Sequence, residues 1–118
     1  MPDAIPTPLI VLVACPAGEP ADALARAIVA SRLAACVNRL PGIRSTYRWQ
    51  GEIVTDDESL LMVKTTAEVY PALEAFVRER HPYEVPEIVA VPVVAGHGPY
   101  LAWVAANVDV SQAPLSRS

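Results

Sequence analysis

Three side chains in the sequence have the chemistry of metal ligands: Cys15, His81 and Glu87. A thiolate and an imidazole suit copper or zinc, and a carboxylate can complete such a ligand set. Cys15 ends an apolar segment, whereas His81 and Glu87 flank a proline-containing segment much later in the chain. The pattern predicts a metal site of soft to intermediate donors. Sequence spacing leaves open whether the three residues meet within one subunit or across a subunit interface.

Each of these residues also has an ordinary structural interpretation. Cys15 follows six apolar residues and could be a small buried side chain. His81 could stabilise the end of a helix, because a cation there opposes the helix dipole. Glu87 could pair with an arginine across an interface. Of the remaining candidates, Cys36 follows two alanines, which indicates core packing, and His97 lies between two glycines, which indicates an exposed loop.

Composition limits the kind of protein that can position these residues. The chain has 118 residues, which predicts one domain over 1–118, an ordered core over about 8–108 and a flexible tail over 111–118. Hydrophobic residues make up 53% and charged residues 19%, which is more apolar than is typical of a soluble domain and predicts a subunit interface. The net charge of −4 disfavours nucleic-acid binding. Two cysteines without a CxxC motif exclude a disulfide scaffold and a zinc ribbon.

The sequence also carries predictions about location. No segment has about 18 uninterrupted apolar residues, so we predict no membrane span. Residues 1–6 lack the basic start and the long apolar run of a secretory signal. We therefore expect a cytoplasmic protein with reduced thiols.

Hydrophobic periodicity predicts the order β-α-β-β-α-β, followed by a third helix. The predicted strands cover 9–15, 35–49, 59–65 and 87–94, and the predicted helices cover 21–33, 67–80 and 99–107. We expect an irregular first turn in the second helix, because Pro71 would lie too deep in it, although Thr65 and Glu68 have capping-box spacing. The order is typical of a ferredoxin-like α+β sandwich, in which helices cover one face of a four-stranded antiparallel sheet.

The second and third strands are predicted to form a long hairpin. Residues 50–51 are suited to its two-residue turn, and Pro41 predicts a bulge or an edge position. Four arginines between 32 and 48 precede four acids between 52 and 58. A two-residue turn places Arg44 opposite Asp57.

Aromatic residues are predicted to pack at a subunit interface rather than to form a ligand cage. A two-stranded ribbon is marginal alone in water, and Tyr47 and Trp49 would share one face of it. Another subunit would cover that face. The residues assigned to the interface are Tyr47, Trp49, Tyr83, Tyr100 and Trp103.

Several segments together resemble the CutA (divalent-cation-tolerance) family. They follow in order from about residue 9 to residue 107 without large gaps. The most specific is His-Pro-Tyr-x-x-Pro-Glu at 81–87, and the others lie at 32–38, 41–53, 62–66 and 98–103.

The resemblance implies a ferredoxin-like homotrimer similar to the PII signalling proteins, in which hairpins pack across subunit boundaries. It also implies a response to copper and other divalent cations, and it matches Cys15, His81 and Glu87 to family positions. Some copper-binding relatives have a second histidine directly before the His-Pro-Tyr motif. Arg80 occupies that position here and cannot bind a metal while protonated. We therefore expect copper binding to be weak.

The resemblance implies a homotrimer of divalent-cation tolerance, and we expect it to be non-catalytic. It would need no cofactor, would take Cu(II) or another divalent cation as ligand, and would bind neither nucleic acid nor membrane. The chain has no GxSxG, P-loop or GxGxxG motif. The alternative is a PII-like sensor whose inter-subunit clefts bind a small metabolite or a protein. The arginines of 39–48 could line such a cleft for an anion, or they could pair with the acids of 52–58.

Overall fold

The structure, a computed structural model, describes residues 6–109 and 111, and these contain the predicted order of strands and helices. The elements are β1 (Pro8–Pro16), α1 (Glu19–Ala30), β2 (Cys36–Trp49), β3 (Glu52–Thr66), α2 (Tyr70–Arg80), β4 (Ile88–Pro92) and α3 (Gly98–Ala106). The predicted tail over 111–118 lies outside the described residues except for Ser111.

The four strands form one antiparallel sheet in the order β2-β3-β1-β4. This is the ferredoxin-like arrangement that the sequence predicts. The apolar strands β1 and β3 lie in the centre, where Val11 pairs with Val63. β2 and β4 are the edges, and they contain Pro41 and Pro92. An edge tolerates proline because its outer side needs no ladder hydrogen bond.

One face of the sheet packs against α1 and α2. Side chains alternate between the two faces of a strand, and the paired residues Val13 and Leu61 turn toward the helices, where both are fully buried. Ile28 of α1 and Leu73 of α2 are also fully buried in this core. The apolar stripe of each helix therefore meets one continuous apolar surface.

The third helix contacts the opposite face, which we call the open face. Val37 of β2 packs against the core with α1 and α2. Its neighbour Cys36 must point the other way, and there its thiol meets the Tyr100 hydroxyl of α3. Burial and then this thiol raise the pKa of Tyr100. The two helices of the ferredoxin-like sandwich, α1 and α2, therefore cover one face as predicted, and the additional helix α3 lies on the other face. Cys36 is half-buried rather than part of the core that its sequence neighbours predict.

Element boundaries differ from the predicted ones for local reasons. α1 begins earlier than predicted because Gly18 adopts a φ of 91° and Pro20 fits the first helical turn. It ends earlier because Arg32 has a φ of 59°. β3 begins at Glu52, well before residue 59, since it stays paired with β2 up to the hairpin turn.

The start of α2 is irregular, as predicted. Residues 67–69 form a turn, and the helix begins at Tyr70 because Pro71 is accommodated only in the first turn. The capping-box interpretation is wrong. The Thr65 hydroxyl donates to the Leu33 carbonyl oxygen at 2.7 Å, and the Glu68 carboxylate accepts a bond from the backbone N–H just before β1.

The β2–β3 hairpin extends beyond the rest of the sheet. Its turn residues Gln50 and Gly51 have φ values of 51° and 83°, which is the left-handed pair required by a two-residue type I′ turn. Pairing of β1 with β3 stops at Glu58, so residues 43–57 form a two-stranded ribbon. Arg44 lies opposite Asp57 as predicted, with Nε and Oδ1 3.1 Å apart.

A bulge at residues 41–42 reverses the direction of the β2 side chains. Before it, Leu40 pairs with Leu60, and after it Ile43 pairs with Glu58, so β2 contains one extra residue. A one-residue shift moves every later side chain to the other face. The aromatic residues of the ribbon therefore lie on the open face, and its arginines lie on the side of α1 and α2.

We expect Val63→Ala to lower the free energy of unfolding by about 2 kcal/mol, because the variant loses two buried methyl groups and leaves a cavity. Val63 is fully buried in a central strand. Urea unfolding followed by circular dichroism at fixed protein concentration measures this loss. The control Val29→Ala, on the exposed side of α1, should change stability by less than about 0.5 kcal/mol. Equal losses in both variants would contradict the assigned core.

Candidate functional site

His81 joins the end of α2 to the end of β1. Its Nδ1 accepts the Tyr83 backbone N–H at 3.2 Å, so Nε2 carries the proton and donates to the Ala14 carbonyl oxygen at 2.7 Å. Its own backbone N–H bonds the Val77 carbonyl oxygen, which makes it the C-cap residue of α2. The residue therefore lies at a helix end, as the structural interpretation predicts, but its ring acts there as a neutral imidazole through hydrogen bonds and not as a cation that opposes the dipole. Both ring nitrogens are occupied by the fold.

Cys15 is a core residue. It is 2% exposed, it belongs to the buried cluster between sheet and helices, and its Sγ lies 4.0 Å from the Val13 carbonyl oxygen. Burial and then the nearby Glu58 carboxylate raise the pKa of the thiol to about 11. Since the thiolate is the metal-binding form, this environment disfavours binding. The buried interpretation of Cys15 is confirmed.

The third candidate, Glu87, is exposed. Within residues 6–109 and 111, no group of three or more His, Cys, Asp or Glu is arranged to hold a metal ion. A subunit therefore presents Cys15, His81 and Glu87 without a preformed ligand set, and a metal site at these residues stays a prediction. Arg80 lies 3.6 Å above the ring centroid of Phe76, so it stays on the surface of α2.

A cavity of about 520 Å³ lies on the open face at the base of the ribbon. One side is formed by the ribbon, and the other side is formed by the segment 83–87 that follows His81. Its aromatic and acidic lining residues are Tyr47, Trp49, Glu58, Tyr83, Glu84 and Glu87.

Two tyrosine–carboxylate hydrogen bonds organise this cavity. The Tyr83 hydroxyl donates to Oε2 of Glu58 at 2.9 Å, and the Tyr47 hydroxyl donates to the Asp56 carboxylate. Burial and the bond to Glu58 raise the pKa of Tyr83, and the bond to Asp56 raises the pKa of Tyr47. Both tyrosines therefore remain neutral donors at physiological pH, and their carboxylate partners make the cavity electronegative.

The arginines of β2 do not line this cavity. Arg44 pairs with Asp57 on the other face of the ribbon, and Arg39 pairs with Asp22 of α1 at 3.2 Å. Among the lining residues in the described part of the chain there is no lysine or arginine. Charge pairing is therefore confirmed for Arg44, and an arginine-lined cleft between subunits stays a prediction.

Sequence reasoning missed Glu58 as a site residue. Its signal was the alternation of charge in the hairpin, because Asp56 and Glu58 share one face of β3 and Asp57 has the other. Charge alternation alone does not predict the site, because the bulge determines which β2 side chains lie on the same face as Asp56 and Glu58.

The five aromatic residues assigned to an interface are 36–46% exposed in the subunit. Tyr100 and Trp103 stack on the surface of α3 with centroids 5.7 Å apart. Tyr47, Trp49 and Tyr83 instead line the cavity. Their place in an interface stays a prediction.

Within the described ranges, no helix is long and apolar enough to cross a membrane.

Comparison with solved structures defines the class as PII-like ferredoxin-fold proteins. The chain is similar to "Divalent cation tolerance protein (Cut A1)" of Thermus thermophilus, with 50% identity and a TM-score of 0.84, covering 86% of this chain and 99% of that one. It is also similar to "PII-like protein CutA" of Nostoc sp. PCC 7120, with 33% identity and a TM-score of 0.81, covering 86% and 98%.

Sequence comparison identifies the family. Residues 9–107 match the family described as CutA1 divalent ion tolerance protein, and the chain belongs to this family. It is 53% identical to human "Protein CutA" over 92 residues, which are 78% of this chain and 51% of the human protein. The chain therefore spans about half the length of that relative. The resemblance inferred from the sequence motifs is confirmed.

We expect the unfolding free energy to fall as pH rises from about 9 to about 11. The unfolded Cys15 thiol loses its proton near the ordinary pKa of 9.0, whereas the folded thiol keeps it up to about 11. The stabilising contribution of the protonated thiol is therefore complete below pH 9. It decreases as the pH rises further, and the free energy of unfolding has fallen by about 2 kcal/mol at about pH 11. Urea unfolding over this pH range, compared with Cys15→Ala, measures it. An identical pH dependence in both proteins would contradict the assignment to Cys15.

Proposed function

We propose that the chain acts as a non-catalytic homotrimer in divalent-cation tolerance, in the cytoplasm, and that it binds copper weakly. Membership of the CutA1 family supports the tolerance role. The free thiols Cys15 and Cys36 support a reducing compartment.

The observation that carries the homotrimer is the part of the open face that α3 leaves exposed. The outer edge of β2 has no partner strand in the described residues, and the ribbon reaches beyond the end of β1. Large side chains with 37–49% exposure line this side of the molecule: Leu40, Trp49, Val89, Val91, Tyr100 and Trp103. An unpaired edge beside an exposed apolar surface favours association with another chain.

We expect the purified protein to have a mass of about 38 kDa, which is three times the 12.6 kDa of one chain. Trp103→Glu should shift the protein toward the mass of one chain, since a buried carboxylate without a partner opposes association. Light scattering coupled to size-exclusion chromatography measures both masses. The side chain is exposed in the subunit, so the subunit itself should stay folded by circular dichroism.

The matched control is Ala23→Glu, which adds the same charge to the exposed surface of α1. It should leave the mass at about 38 kDa. A single-chain mass for the unsubstituted protein would contradict the homotrimer. A homotrimer unaffected by Trp103→Glu would remove α3 from the interface.

Weak copper binding is the second part of the proposal. Thiol, imidazole and carboxylate donors support it, and Cys15, His81 and Glu87 are the proposed ligands. Binding there must remove a proton from a buried thiol and displace at least one His81 hydrogen bond. These costs reduce affinity, which is why we propose weak rather than tight binding.

We expect a calorimetric copper titration, without thiol reductants or tags, to show saturable binding near one ion per subunit. Cys15→Ala and His81→Gln should weaken it, and binding should strengthen with rising pH because the thiol must ionise. The control His97→Ala, an exposed loop variant, should bind as the unsubstituted protein does. No binding, or binding unchanged by the first two variants, would remove these ligands and make the link to metal tolerance indirect.

The PII-like sensor is the second candidate function, and the cavity at the base of the ribbon favours it. A volume of about 520 Å³ is within the usual range for small-molecule sites. In a homotrimer, a neighbouring subunit on the open face would border this cavity. The cavity would then become an inter-subunit cleft.

A further inference from the structure

We propose that the cavity at the base of the ribbon binds a small organic cation, a protonated amine or a quaternary ammonium group, with the buried Glu58 carboxylate as its counter-charge. This ligand class differs from a metal ion. The proposal rests on the second candidate function, a PII-like sensor with a small-molecule site in this cavity, and names the ligand class; it does not depend on copper binding.

The first argument is the sign of the charge. Three carboxylates line the cavity, those of Glu58, Glu84 and Glu87, and the lining residues in the described part of the chain include no basic side chain. The ion pairs of the described chain use other acids, as for Arg39 and Arg44. In residues 6–109 and 111 no lysine or arginine forms an ion pair with these three carboxylates, and the cavity attracts a positive ligand.

The second argument is the burial of Glu58. Its side chain lines the cavity although the residue is only 4% exposed. In the described residues its hydrogen bond is with the Tyr83 hydroxyl, and no cationic side chain pairs with it. A buried carboxylate is costly unless a cation pairs with it. A ligand ammonium group would supply that missing partner.

The third argument is the aromatic wall. Tyr47, Trp49 and Tyr83 line the same cavity as Glu58. Aromatic faces attract cations, and cages of such side chains recognise quaternary ammonium groups.

The size of the cavity favours an organic cation over a metal ion. A bare metal ion needs several ligands within about 2.0–2.6 Å, and no such group of three side chains exists in residues 6–109 and 111. A cavity of about 520 Å³ instead accommodates a small molecule whose charged nitrogen is surrounded by alkyl groups.

The same chemistry could come from an arginine or lysine side chain of a second copy of this chain. We assign the site to a free ligand because the cavity is open to solvent in the subunit and its wall is largely apolar, which suits an alkylammonium group. A titration of the assembled protein distinguishes the two sources, since a side chain of a neighbouring subunit would already fill the cavity.

The test is a choline titration of the full-length assembled protein, followed by NMR of the two tryptophan indole N–H groups. We expect the Trp49 signal to move saturably and the Trp103 signal, on α3, to stay. The uncharged analogue 3,3-dimethylbutan-1-ol has the same shape and should bind at least tenfold more weakly. Equal affinity for the two compounds, or no saturable shift, would overturn the proposal.

Variants locate the counter-charge. Glu58→Gln keeps the size of the side chain and an acceptor for Tyr83, and it should weaken choline binding at least tenfold. The matched control Asp57→Asn removes one negative charge from the other face of the ribbon and should change affinity less than twofold. The exposed variant Glu87→Gln is an independent probe that does not disturb the core, with an expected loss of two- to fivefold. Affinity unchanged in Glu58→Gln and Glu87→Gln would also overturn the proposal.

Discussion

The single extra residue in β2 is the constraint on which the open face depends. Before the bulge, the even-numbered residues of β2 face the open side of the sheet. Beyond the bulge, the odd-numbered residues face that side. The reversal moves Tyr47 and Trp49 away from α1 and α2 and brings them to the side of Glu58. It also carries Arg44 to the other side, where Asp57 pairs with it. A hairpin without the bulge would mix arginines with these acids and would leave no electronegative cavity.

His81 shows how a residue with ligand chemistry can serve the fold instead. Its ring connects the end of α2 to the carbonyl group of Ala14 and orients the backbone of Tyr83. The Tyr83 hydroxyl in turn reaches Glu58 of β3. The His-Pro-Tyr motif therefore links three elements and forms one wall of the cavity. Because this chain of hydrogen bonds uses both imidazole nitrogens, the same motif is poorly prepared for a metal ion.

Within the subunit, charged side chains find partners, whereas part of the apolar surface stays exposed. Oppositely charged side chains pair within the chain, as Arg39 does with Asp22 and Arg44 with Asp57. Exposed surface pairs contribute little to stability. The chief effect of these two contacts is to hold Arg39 and Arg44 on the side of α1 and α2, away from the cavity. The apolar surface of the open face has no comparable cover in the described residues. The core is thus buried within the subunit, whereas the described part of the open face leaves large apolar side chains exposed.

The sequence by itself determined the order of elements, the ferredoxin-like class of the fold, and the pairing of Arg44 with Asp57. These follow from local signals: uninterrupted apolar runs, prolines at edges and a two-residue turn. It also carried the family motifs. The tertiary structure alone decided that α3 packs on the open face, that the ring of His81 turns to Ala14, and that Glu58 lies buried in a cavity while Cys15 lies in the core. There are two physical reasons. A bulge of one residue moves every later side chain of the strand to the opposite face of the sheet, and the burial of a residue depends on elements that are distant in the chain. Neither property can be read from the spacing of residues within a segment.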